Sequence, residues 1–232
     1  EPLAQAIFAQ KAGLDVNAEA AKYISDEVPD AEAALAGARD IIAEQVSDDA
    51  ALRAQLRRFY QTFGLVKSRA AKEEDSVYAQ YYDFSQPVSK IAGHRVLALD
   101  RGEREGFLKV TVEVDAEKAV GGIRRMFVKA GGGPSAAQVS AAVEDAYTRL
   151  IHPSLEREVR SNLSEEAAEG AIQVFGENLR QLLLQPPIKG KVAMGLDPGY
   201  RMGCKVAVVD ATGKVLDTAV VYPVPQFKRV EQ

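Results

Sequence analysis

The spacing of apolar positions divides the chain into helical and strand-like stretches. After Pro29-Asp30, the residues Ala31, Ala34, Leu35, Ala38, Ile41, Ile42 and Val46 recur at helical spacing, and Asp30 is the expected N-cap. Ser47 is the expected cap of the next helix, whose stripe is Leu52, Leu56, Phe59 and Phe63, with Gly64 closing it. An earlier helix is expected from Asn17 to about Ile24. These helices are acidic, so a DNA-reading helix-turn-helix is disfavoured, because phosphate would repel it.

The middle of the chain is less regular. Lys67 to Glu74 is polar and reads as a loop or a short edge element. Ser85-Gln86-Pro87 starts a new element, and Pro87 suits the first position of a helix. Val96–Leu99 fits either a strand or a helix end. From Phe107 to Val114 the pattern alternates: Leu108, Val110, Val112 and Val114 on one side, Lys109, Thr111 and Glu113 on the other. That is a half-buried strand. Gly121-Gly122 and Gly131-Gly132-Gly133-Pro134 punctuate the next stretch of the chain. The triple glycine lacks the downstream Gly-Lys-Ser/Thr of a phosphate loop and reads as a linker.

Ser135 to Gln185 is the longest helical region. Its first stripe is Val139, Val143, Ala146, Leu150 and Ile151. Pro153 is expected to break or kink it. Ser164-Glu165-Glu166-Ala167 resembles a fresh cap, and Pro186-Pro187 ends the run. The period then changes from helical to strand. Val192–Asp197, Cys204–Asp210 and Val215–Tyr222 form an antiparallel meander with a short turn at Ala211-Thr212-Gly213-Lys214. The expected fold class is mostly α with a small β component. The expected parts are a helical segment 1–64, a mixed segment 65–134, long helices 135–187 and the strands 188–232.

Composition narrows the function classes. Among 232 residues, 47% are hydrophobic and 27% charged, which excludes a disordered or low-complexity chain. No apolar run approaches the roughly 20 residues of a membrane span, so no membrane partner is expected. A single cysteine, Cys204, makes no internal disulfide, which points to a reducing cytoplasm. The net charge of -4 carries no global nucleic-acid signature. It is unevenly spread, however: 1–60 and 131–185 are acidic, while 61–130 and 186–232 are mildly basic. The basic stretches could meet a polyanion or simply be solvated faces.

The strongest motif is Gly195-Leu196-Asp197-Pro198-Gly199-Tyr200-Arg201-Met202-Gly203-Cys204-Lys205. A carboxylate ending a strand, a glycine turn and an antiparallel return strand open two folds: the ribonuclease H-like nucleases, where such an Asp helps hold magnesium, and the actin-like phosphotransferases. Both need carboxylates from later elements, and Asp197 could equally shape its own Asp-Pro-Gly turn. His94 and His152 lack metal-ligand spacing. Cys204 reads as a buried thiol, and Tyr78, Tyr81 and Tyr82 fill a seam or stack bases.

Met194 to Pro223 resembles the start of the YqgF-like domain of the bacterial Tex family, transcription accessory RNA-binding proteins. Tyr82 to Ile91, His94-Arg95 and Arg101-Gly102-Glu103-Arg104-Glu105-Gly106 look like that family's central core. Gly37 to Glu44 is similar to its upstream helical part. The resemblance implies a longer protein, with helix-hairpin-helix motifs and an OB-type RNA-binding domain beyond Gln232. On this expectation the chain is a central fragment of such a protein, starting without Met and ending one hairpin into an incomplete ribonuclease H-like domain. It implies sequence-independent binding of RNA or DNA and a scaffold role, with the transcription machinery as a further partner. It implies no enzyme and no cofactor, with no catalytic or metal site beyond Asp197 as the first acidic position. The expected contacts are Arg95, Arg101, Arg104, Arg124, Arg125, Arg201 and Lys205. A magnesium-dependent nuclease and an actin-like phosphotransferase remain alternatives. The meander's open edge leaves a homodimer as one outcome.

Overall fold

The computed structural model describes residues 1–72, 74–186, 189–199 and 203–222. The fold is mostly helical, with two three-stranded antiparallel sheets. The chain separates into two units, Glu1–Gln173 and a second starting at Val174.

The first unit opens with α1 (Pro2–Phe8) and α2 (Val16–Ala20), the latter capped by Asp15 and continued by a single 3-10 turn to Tyr23. Next comes α3 (Ala31–Asp48). As expected, Asp30 caps it, accepting from the Ala33 N–H at 2.8 Å. The next helix, α4 (Ala50–Phe63), is capped by Asp49, which accepts from the Leu52 N–H at 2.7 Å. Ser47 is therefore not the cap: its hydroxyl turns back to the Glu44 carbonyl, because α3 runs on past it. Gly64 ends α4 with φ −66°, and a Cβ there would lie 2.3 Å from the Tyr60 carbonyl oxygen. Close approach demands this glycine, not a left-handed conformation.

Three strands come next: β1 (Leu65–Ala70), β2 (Asp83–Pro87) and β3 (Leu108–Glu113), in the order β2-β1-β3. The polar stretch from Lys67 thus begins inside the central strand, not in a loop or at an edge. Only Val66 and Ser68 face inward from β1, and Ser68 is buried because its hydroxyl donates to the Tyr81 carbonyl. Ser85-Gln86-Pro87 does not start a new element but ends β2, and Pro87 precedes a single 3-10 turn, Val88–Lys90. Val96–Leu99 lies in α5 (Gly93–Arg104), with Val96 and Leu99 buried. The alternation expected of β3 is observed: Leu108, Val110 and Val112 are buried, Lys109 and Glu113 exposed.

The outer edge of β3 is sealed by side chains. The Val110 N–H donates to Glu103 of α5 at 3.1 Å, and the Val110 carbonyl accepts from Arg160 at 3.1 Å. The Val112 N–H donates to Glu156 at 3.0 Å. Every ladder group thus occupied is unavailable to another strand.

Gly121-Gly122 lies within α6 (Ala116–Phe127), a helix that the glycine pair hides from a periodicity reading. Gln10 ties the N-terminus to its end, donating to the Phe127 carbonyl and accepting from the Lys129 N–H, both at 2.8 Å. The glycine linker leads into α7 (Gly133–Asp145), a π-turn over Ala146–Ile151 and the long α8 (His152–Leu183). Pro153 does not break the helix. The wide π-turn precedes it, with the His152 N–H reaching the Tyr147 carbonyl, and relieves the crowding a proline imposes on the preceding turn. Ser164 caps nothing either: it sits inside α8 and donates to Asp100 at 2.6 Å. The core joins α1, α3, α4, α6, α7 and the inner sheet face, around Ile7, Ile42, Tyr60, Val112, Ile123 and Leu155.

In the second unit, β4 (Ala193–Asp197), β5 (Cys204–Val209) and β6 (Val215–Val221) form the expected meander. Asp210 shapes the β5–β6 turn by accepting from the Thr212 and Lys214 N–H groups at 2.8 and 3.0 Å. Its carboxyl is held below the usual range by the Thr212 hydroxyl and these amides. Met194, Leu196, Val215 and Leu216 are exposed, as are Phe175 and Leu182 on α8.

Candidate nucleic-acid interface

Strand pairing decides which charges meet on the solvent face of the first sheet. Lys67 lies opposite Ser85 and Thr111, and Arg69 opposite Asp83 and Lys109. Two cations directly across a ladder repel one another. Neither Arg69 nor Lys109 makes a hydrogen bond or ion pair with any described side chain. Lys67 instead pairs with Glu113 at 2.6 Å.

At one end of this sheet the chain gathers more cations around an aromatic pair. The Tyr78 and Phe107 rings lie 5.8 Å apart, and the Lys72 ammonium sits 5.3 Å from the Phe107 centroid. Arg101 and Arg104 occupy the last turn of α5, where a positive charge suits the helix dipole. Their fields reach the Tyr78 hydroxyl, which donates to Glu105 at 2.8 Å. Burial, with that bond to Glu105, raises the Tyr78 phenol above its ordinary value. Gly102 lets the cluster close, since a Cβ there would meet the Leu108 side chain at 2.6 Å. Arg101 and Arg104 are exposed and make no ion pair among the described residues.

The other expected contacts are scattered. Arg95 donates to Gln86 at 3.0 Å, a neutral partner that leaves its charge available. Arg124 of α6 is engaged by Glu144 and by Ser140. Arg125, beside it, is exposed and unpaired among the described residues. Lys205 is in the second unit, 4.0 Å from Asp197, and both side chains are mostly in solvent. Arg201 lies outside the described residues. Sequence reasoning missed Lys72, Arg69 and Lys109. Only the strand register reveals that the last two are opposed.

Several of the remaining candidates have partners within the fold. Tyr81 packs edge-on against Phe84, and Tyr82 hydrogen-bonds Ser76 and the Glu74 carbonyl. His152 packs beside the Tyr60 and Tyr147 rings, and its Nδ1 lies 2.6 Å from the Tyr60 hydroxyl. Burial, then the bond to Tyr147, drives the Tyr60 phenol far above its ordinary value. His94 is exposed, and Cys204 is half-buried in β5 rather than enclosed. Asp197 ends β4 opposite Lys205, while Asp217 pairs with Val208 on the other face. A two-metal site needs several carboxylates around one point, and the described residues hold no group of three His, Cys, Asp or Glu side chains placed for a metal.

Comparison with known proteins adds a family pattern. Residues 11–175 match the model described as Tex central region-like, and 191–232 match the Tex protein YqgF-like domain. The protein YdcI of Bacillus subtilis is 44% identical over 229 residues, covering 96% of this chain and 32% of the relative. Protein tex of Bordetella pertussis is 40% identical over 241 residues, covering 96% and 30%. The S1 RNA-binding domain-containing protein 1 of Homo sapiens is 31% identical over 206 residues, covering 80% and 20%. The chain spans about a third of the length of the first two relatives. No helix among the described residues is long and apolar enough to cross a membrane.

Proposed function

The chain belongs to the Tex family, and on that premise we propose that it serves as a scaffold in transcription that holds nucleic acid by its backbone, independent of sequence. Relatives are named for the two halves of this reading: transcriptional accessory protein Tex in Neisseria gonorrhoeae, and S1 RNA-binding domain-containing protein 1 in Homo sapiens. The observation that carries it is the set of unneutralised cations at one end of the first sheet: Arg101 and Arg104 beside the Tyr78–Phe107 pair, with Lys72 over it. Arg69 and Lys109, opposed on the adjoining face, extend the same field. A phosphate beside Lys109 would relieve a repulsion with Arg69 that Asp83, across the ladder from Arg69 on its other side, only partly offsets. Arg95 and Arg125 are secondary contacts in this reading, and Arg124 contributes least because Glu144 holds it.

Filter binding of the chain to single-stranded RNA and duplex DNA across a salt series tests this. Binding should weaken linearly in log–log form as salt rises. Arg101→Glu with Arg104→Glu should flatten the slope on single strands by about 0.7 per lost phosphate contact. Absence of binding at low salt, or a slope untouched by the double reversal, would sink the reading.

A further inference from the structure

Phe63, the last residue of α4, is 64% exposed, although it continues the apolar stripe of that helix. Phe59, one turn earlier, braces it at a 49° tilt with ring centroids 5.3 Å apart. The pair lines two adjoining depressions, of about 590 Å³ and 400 Å³, that share Phe59, Phe63 and Lys118 and together make a trough along α4 and α6. Phe63 thus presents an open aromatic surface steadied by a tilted neighbouring ring. That is the geometry of a stacking platform.

The charges around the trough specify what would stack there. Its walls carry four cations, Arg58, Lys67, Lys118 and Arg125, against two carboxylates, Glu113 and Asp115. Both carboxylates are already taken, by Lys67 at 2.6 Å and Lys118 at 2.8 Å. Arg58 and Arg125 are exposed and unpaired among the described residues. An apolar peptide segment would leave both guanidinium groups without a counter-charge.

Gly122 is an independent indication. It sits inside α6 and lines the trough, yet a Cβ there would meet nothing within 4 Å and its φ is not positive. Glycine in a helix interior is destabilising, and nothing inside the fold requires it. What it does is keep one wall of the trough low.

We propose that this trough binds single-stranded nucleic acid, an unpaired base stacking on Phe63 while the flanking phosphates meet Arg58 and Arg125. The inference rests on the nucleic-acid reading above and adds a base-contacting site that the unneutralised cations of α5 do not supply. A duplex cannot use it, because its bases are already stacked.

The chain contains no tryptophan, so Phe63→Trp installs a lone tryptophan on the platform, whose emission is excited selectively beyond the absorption of the eight tyrosines. Titration with oligouridylate or oligoadenylate should quench it in step with binding. Inorganic polyphosphate, which has charge but no base, should leave the emission unchanged. Phe63→Ala should weaken single-strand binding about tenfold with the melting temperature unchanged, since the ring is mostly in solvent. Gly122→Leu should weaken binding while raising the melting temperature, a pairing of signs that a purely structural role would not give. Emission that stays constant at oligonucleotide saturation, equal quenching by polyphosphate, or native affinity in Phe63→Ala would each overturn the proposal. If Arg101→Glu with Arg104→Glu impairs binding and Phe63→Ala does not, the trough fails and the general reading stands. If the native chain binds no nucleic acid, both fail.

Discussion

The two sheets have the same size and pairing sense but opposite surroundings. Sheet β2-β1-β3 has one face on the core, and β3 has its outer edge occupied by Glu103, Glu156 and Arg160. Sheet β4-β5-β6 exposes apolar side chains on β4 and β6, with Met194 63% and Leu196 58% accessible. Their sequences differ in the matching way. The inward and outward positions of β3 alternate between apolar and polar, which suits a sheet with one cover. The runs Cys204–Val209 and Val215–Val221 are apolar at most positions on both faces, which suits a sheet covered on two sides. Strand pattern therefore states how many covers a sheet is built for, separately from the cover that the described residues provide.

The largest contrast should appear in amide exchange. Val110 and Val112 N–H groups are held by side chains at a sealed edge of a buried sheet. Among the described residues, nothing gives the β6 amides such cover. Protection at Val110 and Val112 should exceed that at Val220 and Val221 by about a thousandfold or more, as measured by hydrogen exchange. Equal protection would erase the distinction between the sheets.

Opening the sealed edge should have the next largest effect. Burial pushes the Glu103 carboxyl up, but the Arg160 hydrogen bond, the Val110 amide and the Arg160 charge outweigh it and hold it below the usual carboxylate range. Glu103→Ala leaves Arg160 and the Val110 N–H short of a partner and should cost about 2 kcal/mol of first-unit stability. A depressed carboxyl stabilises the fold fully above its unfolded value of about 4.3, and that contribution disappears as pH falls through the lower folded value. The loss on substitution should accordingly shrink in acid, as read from denaturation midpoints at pH 7 and below pH 4. A deficit that persists undiminished in acid would show that the carboxylate is not what seals the edge.

The smallest contrast comes from one substitution made twice. Val112→Thr buries a hydroxyl where the side chain is fully enclosed and should cost about 1–3 kcal/mol. Val206→Thr, on the half-exposed β5, should stay within about 0.5 kcal/mol. Similar costs from chemical denaturation would mean that the second sheet is better covered than its exposure indicates.

Much of this architecture was legible in the residues. Strand β3 and the meander were readable because alternation and apolar runs register burial directly. Asp30 was readable because its cap is local. Strand β1 was not: its inner face is Val66 and Ser68, and the serine is admitted by a bond to Tyr81 that no spacing rule contains. Helix α6 was obscured by Gly121-Gly122, whose lack of Cβ leaves space at the surface rather than ending the helix. The geometry of the candidate interface was half legible. Arg101 and Arg104 were identified as cations, but the opposition of Arg69 to Lys109 depends on register between distant strands. Phe63 was assigned to an apolar stripe, and a stripe cannot say where along its length the cover stops.

The π-turn at Ala146–Ile151 has a consequence beyond accommodating Pro153. Along a regular helix each residue advances the side-chain direction by about 100°. A widened turn offsets that progression for everything after it. Glu156 and Arg160 reach β3 one and two turns after His152, so the azimuth at which they arrive is fixed upstream, where Tyr147 and His152 meet Tyr60. The turn works as a phase setting: a few residues of altered winding decide which way the rest of the first half of α8 faces.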